Sequence, residues 1–224
     1  NLARELLSTL VITDAPEFAY HSLAQTAFSP PPHILSTIRI VKVGGSLLTW
    51  PQLTAVLDPW LARQTGTNIL ITGGGFLADS IRRFDRRLQL GAEEAHWLCV
   101  SAMSHTAQLL ANGLNHRAVE TNVSHLSTTT AAVVVFDCEH FLKADEPRVK
   151  GTRLPHNWSV SSDSIAARVA EALQAPELVL LKSCHPPQPA TRREAVAVGY
   201  VDEFFAQAAQ NLPRIKCVNL RDAR

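Results

Sequence analysis

A chain of 224 residues that is 46% hydrophobic and only 18% charged carries enough apolar surface to close one substantial core, which excludes a long disordered polymer. Twenty-one Lys and Arg against twenty Asp and Glu leave a formal charge of +1, so no broad positive field draws in nucleic acid or an anionic membrane. An anionic ligand must therefore be held locally. No apolar run approaches the roughly 18 residues of a membrane-spanning helix, and Glu5 and Asp14 flank the short apolar run near the N-terminus, unlike a signal peptide. Cys99, Cys138, Cys184 and Cys217 form no CxxC pair and have no histidines at zinc-finger spacing; they read as buried thiols of a reducing, cytoplasmic compartment.

Residues 1–37 read as an N-terminal extension, with a helix over residues 3–9 and a stiff linker at Ser29-Pro30-Pro31-Pro32, that packs outside the main domain, residues 38–224, or is partly mobile. The β-branched run Ile38-Arg39-Ile40-Val41-Lys42-Val43, stopped by Gly44-Gly45, predicts a buried strand feeding a turn. Leu53, Val56, Leu57, Trp60 and Leu61 then recur at helical spacing. Residues 68–72 predict a second strand, ended by Gly73-Gly74-Gly75, and Leu77, Ile81, Phe84 and Leu88 mark the expected inner face of the next helix. A long helix over residues 93 to about 114 turns Ala95, Leu98, Ala102 and Leu109 inward, and residues 131–136 form a third strand.

Residues 137–158, rich in Pro, Gly and charge, read as an irregular functional or mobile stretch. Ser161-Ser162-Asp163-Ser164 opens a helix by capping its free N–H groups, with Ile165, Val169 and Leu173 as the buried stripe. Residues 177–182 predict a core strand, 185–189 a Pro-rich loop, 201–210 a helix and 215–218 a last strand. Strands separated by helices imply an α/β three-layer αβα sandwich with a mainly parallel sheet, whose ligands gather at the carboxyl ends of the strands.

Both glycine clusters fall at that edge, each after a strand and before a helix. Without Cβ atoms, their consecutive N–H groups can approach an oxyanion closely, and the helix start adds partial positive charge. Lys42 is an ammonium in an otherwise apolar strand, which is costly unless something anionic pairs with it. That partner is either a ligand or a structural carboxylate such as Asp163. Lys182 repeats the situation at the end of its own strand. Two strand-end lysines around a helix-start aspartate form a charge array suited to a transferring phosphoryl group.

In chain order these strings resemble the amino acid kinase family, which includes acetylglutamate, aspartate, carbamate, uridylate and isopentenyl phosphate kinases. Ile40-Val41-Lys42-Val43-Gly44-Gly45-Ser46-Leu47 is similar to the family's opening strand and first glycine loop, and residues 69–75 to its second. Residues 158–167, with the strand after them, look like its aspartate-bearing helix and nucleotide-side strand. The Ala95-His96-Trp97 helix opening looks most like the small kinases of methanofuran biosynthesis, which phosphorylate an aminomethylfuran-methyl phosphate with ATP.

The resemblance implies that Lys42 contacts the phosphoryl group, that Gly44, Gly45 and Ser46 bind nucleotide phosphates, and that Gly73, Gly74, Gly75 and Ser161 face a small phosphate-bearing acceptor. Asp163 would organise Lys42 and Lys182, ATP would be the donor with Mg²⁺ on its phosphates, and the chain would be a homo-oligomer. It departs from the family after Lys182, where Ser183-Cys184-His185-Pro186 replaces the usual Thr-Asp and only Gly199 and Lys216 occur late. A second reading is a chain that kept the fold and binds a nucleotide or other oxyanion without catalysis. His96, His105, His116 and His125 lack metal-ligand spacing. Arg82, Arg83, Arg86 and Arg87 read as a solvated helix face, His140, Lys143, Arg148, Lys150 and Arg153 as a basic loop, and Trp158 as a core aromatic or a substrate wall.

Overall fold

The computed structural model describes residues 9–12, 38–115, 117–186 and 191–223. Its sheet is built from β1 (Thr9–Ile12), β2 (Ile38–Val43), β3 (Thr67–Thr72), β4 (Val119–Glu120), β5 (Val133–Phe136), β6 (Glu177–Lys182) and β7 (Ile215–Asn219). The strands lie in the order β1-β7-β6-β2-β3-β5-β4. Six are parallel, and β1 runs antiparallel to β7 along one edge. The helices are α1 (Leu53–Ala62), α2 (Gly75–Leu88), α3 (Ala92–Gly113), α4 (Val123–Leu126), α5 (Ser162–Ala172), α6 (Arg192–Ala197) and α7 (Phe205–Ala208).

Alternation along the central strands splits the core into two layers. Ile40, Ile69, Ile71, Leu178 and Leu180 pack with Ile165, Ala166 and Val169 of α5 and Phe205 of α7. Val41, Val43, Leu70, Val179 and Leu181 pack on the other face with Leu53, Leu57 and Leu61 of α1. The expected αβα sandwich is the observed fold, and β2 lies at its centre between β3 and β6. Because Lys42 follows Ile40 by two residues, its side chain points to the α5 face.

Several expectations give way. Leu77, Phe84 and Leu88 of α2 are 39%, 58% and 65% exposed, and it is Ala78 that is buried. Helical spacing marks an apolar stripe but not what covers it, and α2 packs chiefly against α3 rather than on the sheet. Leu98 and Leu109 of α3 likewise face outward, while Val100, Met103, Ala107 and Leu110 join Ala95 and Ala102 inside. The expected helix over residues 201–210 shrinks to α7, preceded by α6, whose Thr191 and Glu194 form a reciprocal cap that the sequence reading passed over.

Residues 137–158 are not a free loop. A π-type turn (Phe141–Asp145) and a 3-10 turn (Glu146–Arg148) bury Phe141, Leu142 and Glu146. Arg168, fully buried on α5, holds this stretch through Glu146 Oε1 at 3.1 Å and the Val149 carbonyl at 2.8 Å, and also binds Glu171 Oε2 at 3.0 Å. Within residues 1–37, Thr9–Ile12 joins the sheet as β1 rather than packing outside it. The helix expected at residues 3–9 overlaps the described residues only at Thr9, which begins that strand, and the Pro-rich linker lies outside them.

Candidate active site

Lys42, Asp163 and Lys182 converge at the carboxyl end of the sheet. Lys42 Nζ lies 2.8 Å from Asp163 Oδ1, and Lys182 Nζ lies 2.6 Å from Asp163 Oδ2, so the carboxylate spans both ammonium groups. The geometry follows from the elements. Lys42 is near the end of β2, Lys182 ends β6 alongside it, and Asp163 occupies the first turn of α5, which crosses above. Lys42 and Asp163 are each only 4% exposed. Burial pushes the Lys42 ammonium below the ordinary lysine value, opposed by Asp163 and reinforced by Lys182. Burial alone would raise Asp163, but the two ammonium groups outweigh it and hold the carboxyl below its usual range.

The two glycine loops press on each other. A Cβ on Gly45 would lie 2.5 Å from the Gly75 nitrogen, and one on Gly75, whose φ is +52°, would lie 2.8 Å from the Gly45 carbonyl oxygen. Part of the glycine requirement is thus the mutual approach of two backbones. The Gly44 N–H donates to the Leu181 carbonyl at 2.8 Å and the Gly73 N–H to the Val43 carbonyl at 2.9 Å, tying each loop to a neighbouring strand. The first amides of α2 have no intrahelical acceptor and remain open to an outside one. Ser46 Oγ and Ser183 Oγ lie 2.9 Å apart and link the first loop to the end of β6.

Beside the loops opens a cavity of about 220 Å³. Gly45, Ser46, Gly73, Gly74, Gly75, Ser161 and Ser162 line it, together with Arg82, His96, Cys99, Met103 and Trp158. Lys42, Asp163 and Lys182 do not line it. They adjoin it through the glycine loops: a Gly44 Cβ would meet Lys182 Cδ at 3.9 Å, and a Gly73 Cβ would meet Ser162 Oγ at 3.0 Å.

Several residues reach the cavity that the sequence reading set aside. Arg82, assigned to a solvated face, stacks 5.3 Å from the Trp158 ring and pairs with Asp79 at 2.8 Å. Trp158 Nε1 donates to Asp85 Oδ2 at 2.9 Å. His96 is buried against His156, and burial, then His156, lowers its pKa to about 4. The basic loop residues do not line the cavity; Lys143 pairs with Glu139 and Arg153 with Glu146. His116 lies outside the described residues. Cys138 and Cys217 are buried as expected, but Cys184 is exposed and Cys99 borders the cavity, its thiol pushed up to about 11 by burial. Ser161 does not cap α5; its hydroxyl donates to Asp202, a residue with no local signal because its partners come from another element.

Residues 37–185 match the model of the amino acid kinase family. The chain belongs to that family. A (5-(aminomethyl)furan-3-yl)methyl phosphate kinase from Methanocaldococcus jannaschii is 23% identical over 147 residues, which span 64% of this chain and 64% of that protein's length. Among solved structures, the uridylate kinase of Archaeoglobus fulgidus superposes with a TM-score of 0.54 at 17% identity, covering 80% of this chain and 89% of that one. The UMP kinase of Ureaplasma parvum gives 0.59 at 14% identity, covering 83% and 91%. At such identities the structures establish the amino acid kinase fold alone. Lys216 of β7 pairs with Glu177 of β6 at 2.9 Å and takes no part in the array. The second ammonium on Asp163 is Lys182.

Proposed function

We propose that this chain is an ATP-dependent kinase of a small phosphate-bearing acceptor, with aminomethylfuran-methyl phosphate the first acceptor to try. The observation that carries this reading is the Asp163 carboxylate, bound to two ammonium groups beside two interlocked glycine loops. The donor set fits a polyphosphate: two buried-edge cations, glycine-loop amides and a helix start. It fits Mg²⁺ held by nucleotide and water, since both Asp163 oxygens are committed to lysines. ATP, with Mg²⁺ on its phosphates, would supply the phosphoryl group.

Lys42 and Lys182 would neutralise the non-bridging oxygens, and Asp163 would keep the two cations from separating. The Gly45 and Ser46 amides would take the donor's phosphates and the Gly74 and Gly75 amides the acceptor's; Ser161, which gives both its N–H and its hydroxyl to Asp202, borders the acceptor side without a donor to spare. An acceptor phosphate is already anionic, so alignment and charge suffice without a strong general base. Phosphotransfer from ATP to aminomethylfuran-methyl phosphate, with UMP as the competing acceptor, tests the reading. Binding of ATP with no transfer to either would favour the non-catalytic alternative, for which the altered segment after Lys182 speaks.

The chain also reads as a homo-oligomer acting in the cytoplasm. Supporting this, Phe76, Phe84 and Leu88 on α2 and Leu109 on α3 leave large apolar side chains more than half exposed. None of the described helices is long and apolar enough to cross a membrane.

A further inference from the structure

The helix that presents Asp163 is closed by a residue from elsewhere in the chain. Asp202, in the turn ahead of α7, accepts at Oδ2 from the Ser161 N–H at 3.0 Å, the Ser161 hydroxyl at 2.7 Å and the Ser164 N–H at 3.0 Å. Its Oδ1 accepts from the Ser164 hydroxyl. The same turn reaches the rest of the array: the Tyr200 carbonyl accepts from Lys182 Nζ at 2.8 Å, and the Phe204 N–H donates to the Ser159 carbonyl at 3.1 Å. One short segment thus grips both the helix start bearing Asp163 and the lysine that Asp163 binds.

We propose that Asp202 is a positioning residue of this array, setting where the Asp163 carboxylate lies between Lys42 and Lys182 by closing the first turn of α5. Its effect on phosphoryl transfer rests on the kinase reading; its effect on the array does not. A carboxylate facing first-turn amides is favoured by their unpaired N–H groups and by the helix dipole. Four hydrogen bonds from two residues of that turn also hold its rotation, and so the direction of the Asp163 side chain.

Charge points the same way. Lys42 is faced by Asp163 from α5, Lys182 from β6 and, as the weakest of these influences, Asp202 from the turn; burial, then Asp163, pushes the Asp202 carboxyl above its ordinary range, and the Ser164 and Ser161 bonds oppose that. Tyr200 and Cys217, which also face Asp163, are kept neutral by burial, the thiol pushed up to about 12. Asp202→Asn keeps the shape and removes one anionic neighbour of Lys42, which makes the ammonium less favoured.

The test follows Lys42 by NMR of its side-chain signals in the full, ligand-free chain, beside melting and steady-state kinetics. In Asp202→Asn, Lys42 is expected to titrate at least about half a pH unit below its wild-type midpoint. With a working acceptor, kcat is expected to fall at least about tenfold while KM for ATP changes less than about threefold. A folded Asp202→Asn chain whose Lys42 midpoint is unmoved overturns the proposal, as does an unchanged kcat in an active enzyme. A wild-type chain that transfers phosphate to no acceptor sinks only the kinase reading, because the NMR readout needs no turnover. Should Asp202→Asn not fold, Ser164→Ala removes one of the four bonds. Amide hydrogen exchange over residues 161–164 is then expected to quicken at least about tenfold, and unchanged protection overturns the proposal.

Discussion

Lys42 is buried at a cost that only its neighbours offset, and this makes it the sharpest probe of the site. Lys42→Met keeps the volume of the stem and removes the charge, while Asp163 retains Lys182 at 2.6 Å. Turnover is expected to fall about 100-fold or more, with the chain still folded by circular dichroism. Because the Lys42 pKa is lowered, the alkaline fall in kcat is expected to set in below the ordinary lysine value of 10.5. His96 contributes to the acid side of stability. Its folded pKa of about 4 lies beneath the ordinary histidine value of 6.5, so the unfolded chain binds the extra proton between those values. The neutral imidazole's contribution is fully present above pH 6.5 and is lost as pH falls towards 4, on the order of 3 kcal/mol. In urea titrations His96→Gln is expected to flatten that slope, and an unchanged slope would assign it to other groups.

Helices, strands and their turns set the next constraints. Gly45→Ala would place a methyl 2.5 Å from the Gly75 nitrogen, with backbone on both sides and no flexible side chain to yield. The loops must separate, and both a lower melting temperature and loss of phosphotransfer are expected; wild-type values for both would show that the loops yield freely. Arg168 holds residues 146–150 to α5 from full burial. Arg168→Met leaves Glu146 buried with a weaker partner, Arg153 at 3.4 Å, and chemical denaturation is expected to show a loss of about 3–5 kcal/mol. The helix periods were legible here, but not which helix face was covered. Leu77 and Phe84 fall on a helical stripe as cleanly as Leu57 and Leu61 do. The difference is that α1 lies on the sheet, whereas α2 lies on α3.

Over the molecule as a whole, β1 covers the outer edge of β7 through the register Thr9↔Val218 to Ile12↔Ile215. A chain starting at Ile38 would expose that edge and is expected to self-associate more readily in light scattering. A ligand held by the whole carboxyl edge should stabilise the global fold. ATP with Mg²⁺ at 100 times its dissociation constant is expected to add about 2.7 kcal/mol, seen as a raised melting temperature; no shift would count against nucleotide binding.

The order of residues was enough to establish the αβα class, the strands flanking both glycine clusters and the family resemblance, because burial period and glycine-terminated strands are local patterns. It also singled out Lys42, Asp163 and Lys182, since a charge inside an apolar run or a capping stretch is conspicuous on its own. Their contact was a matter for the fold. Parallel pairing of β2 with β6 sets Lys42 across from Leu180, so that Lys182, two residues on, falls on the same face, and the crossing of α5 brings the carboxylate to within 2.8 Å of both lysines. Asp202, His96 and Arg82 could be found only in three dimensions. Their roles arise from partners on other elements, and a hydrogen bond or ring stack between distant segments leaves no period in the chain.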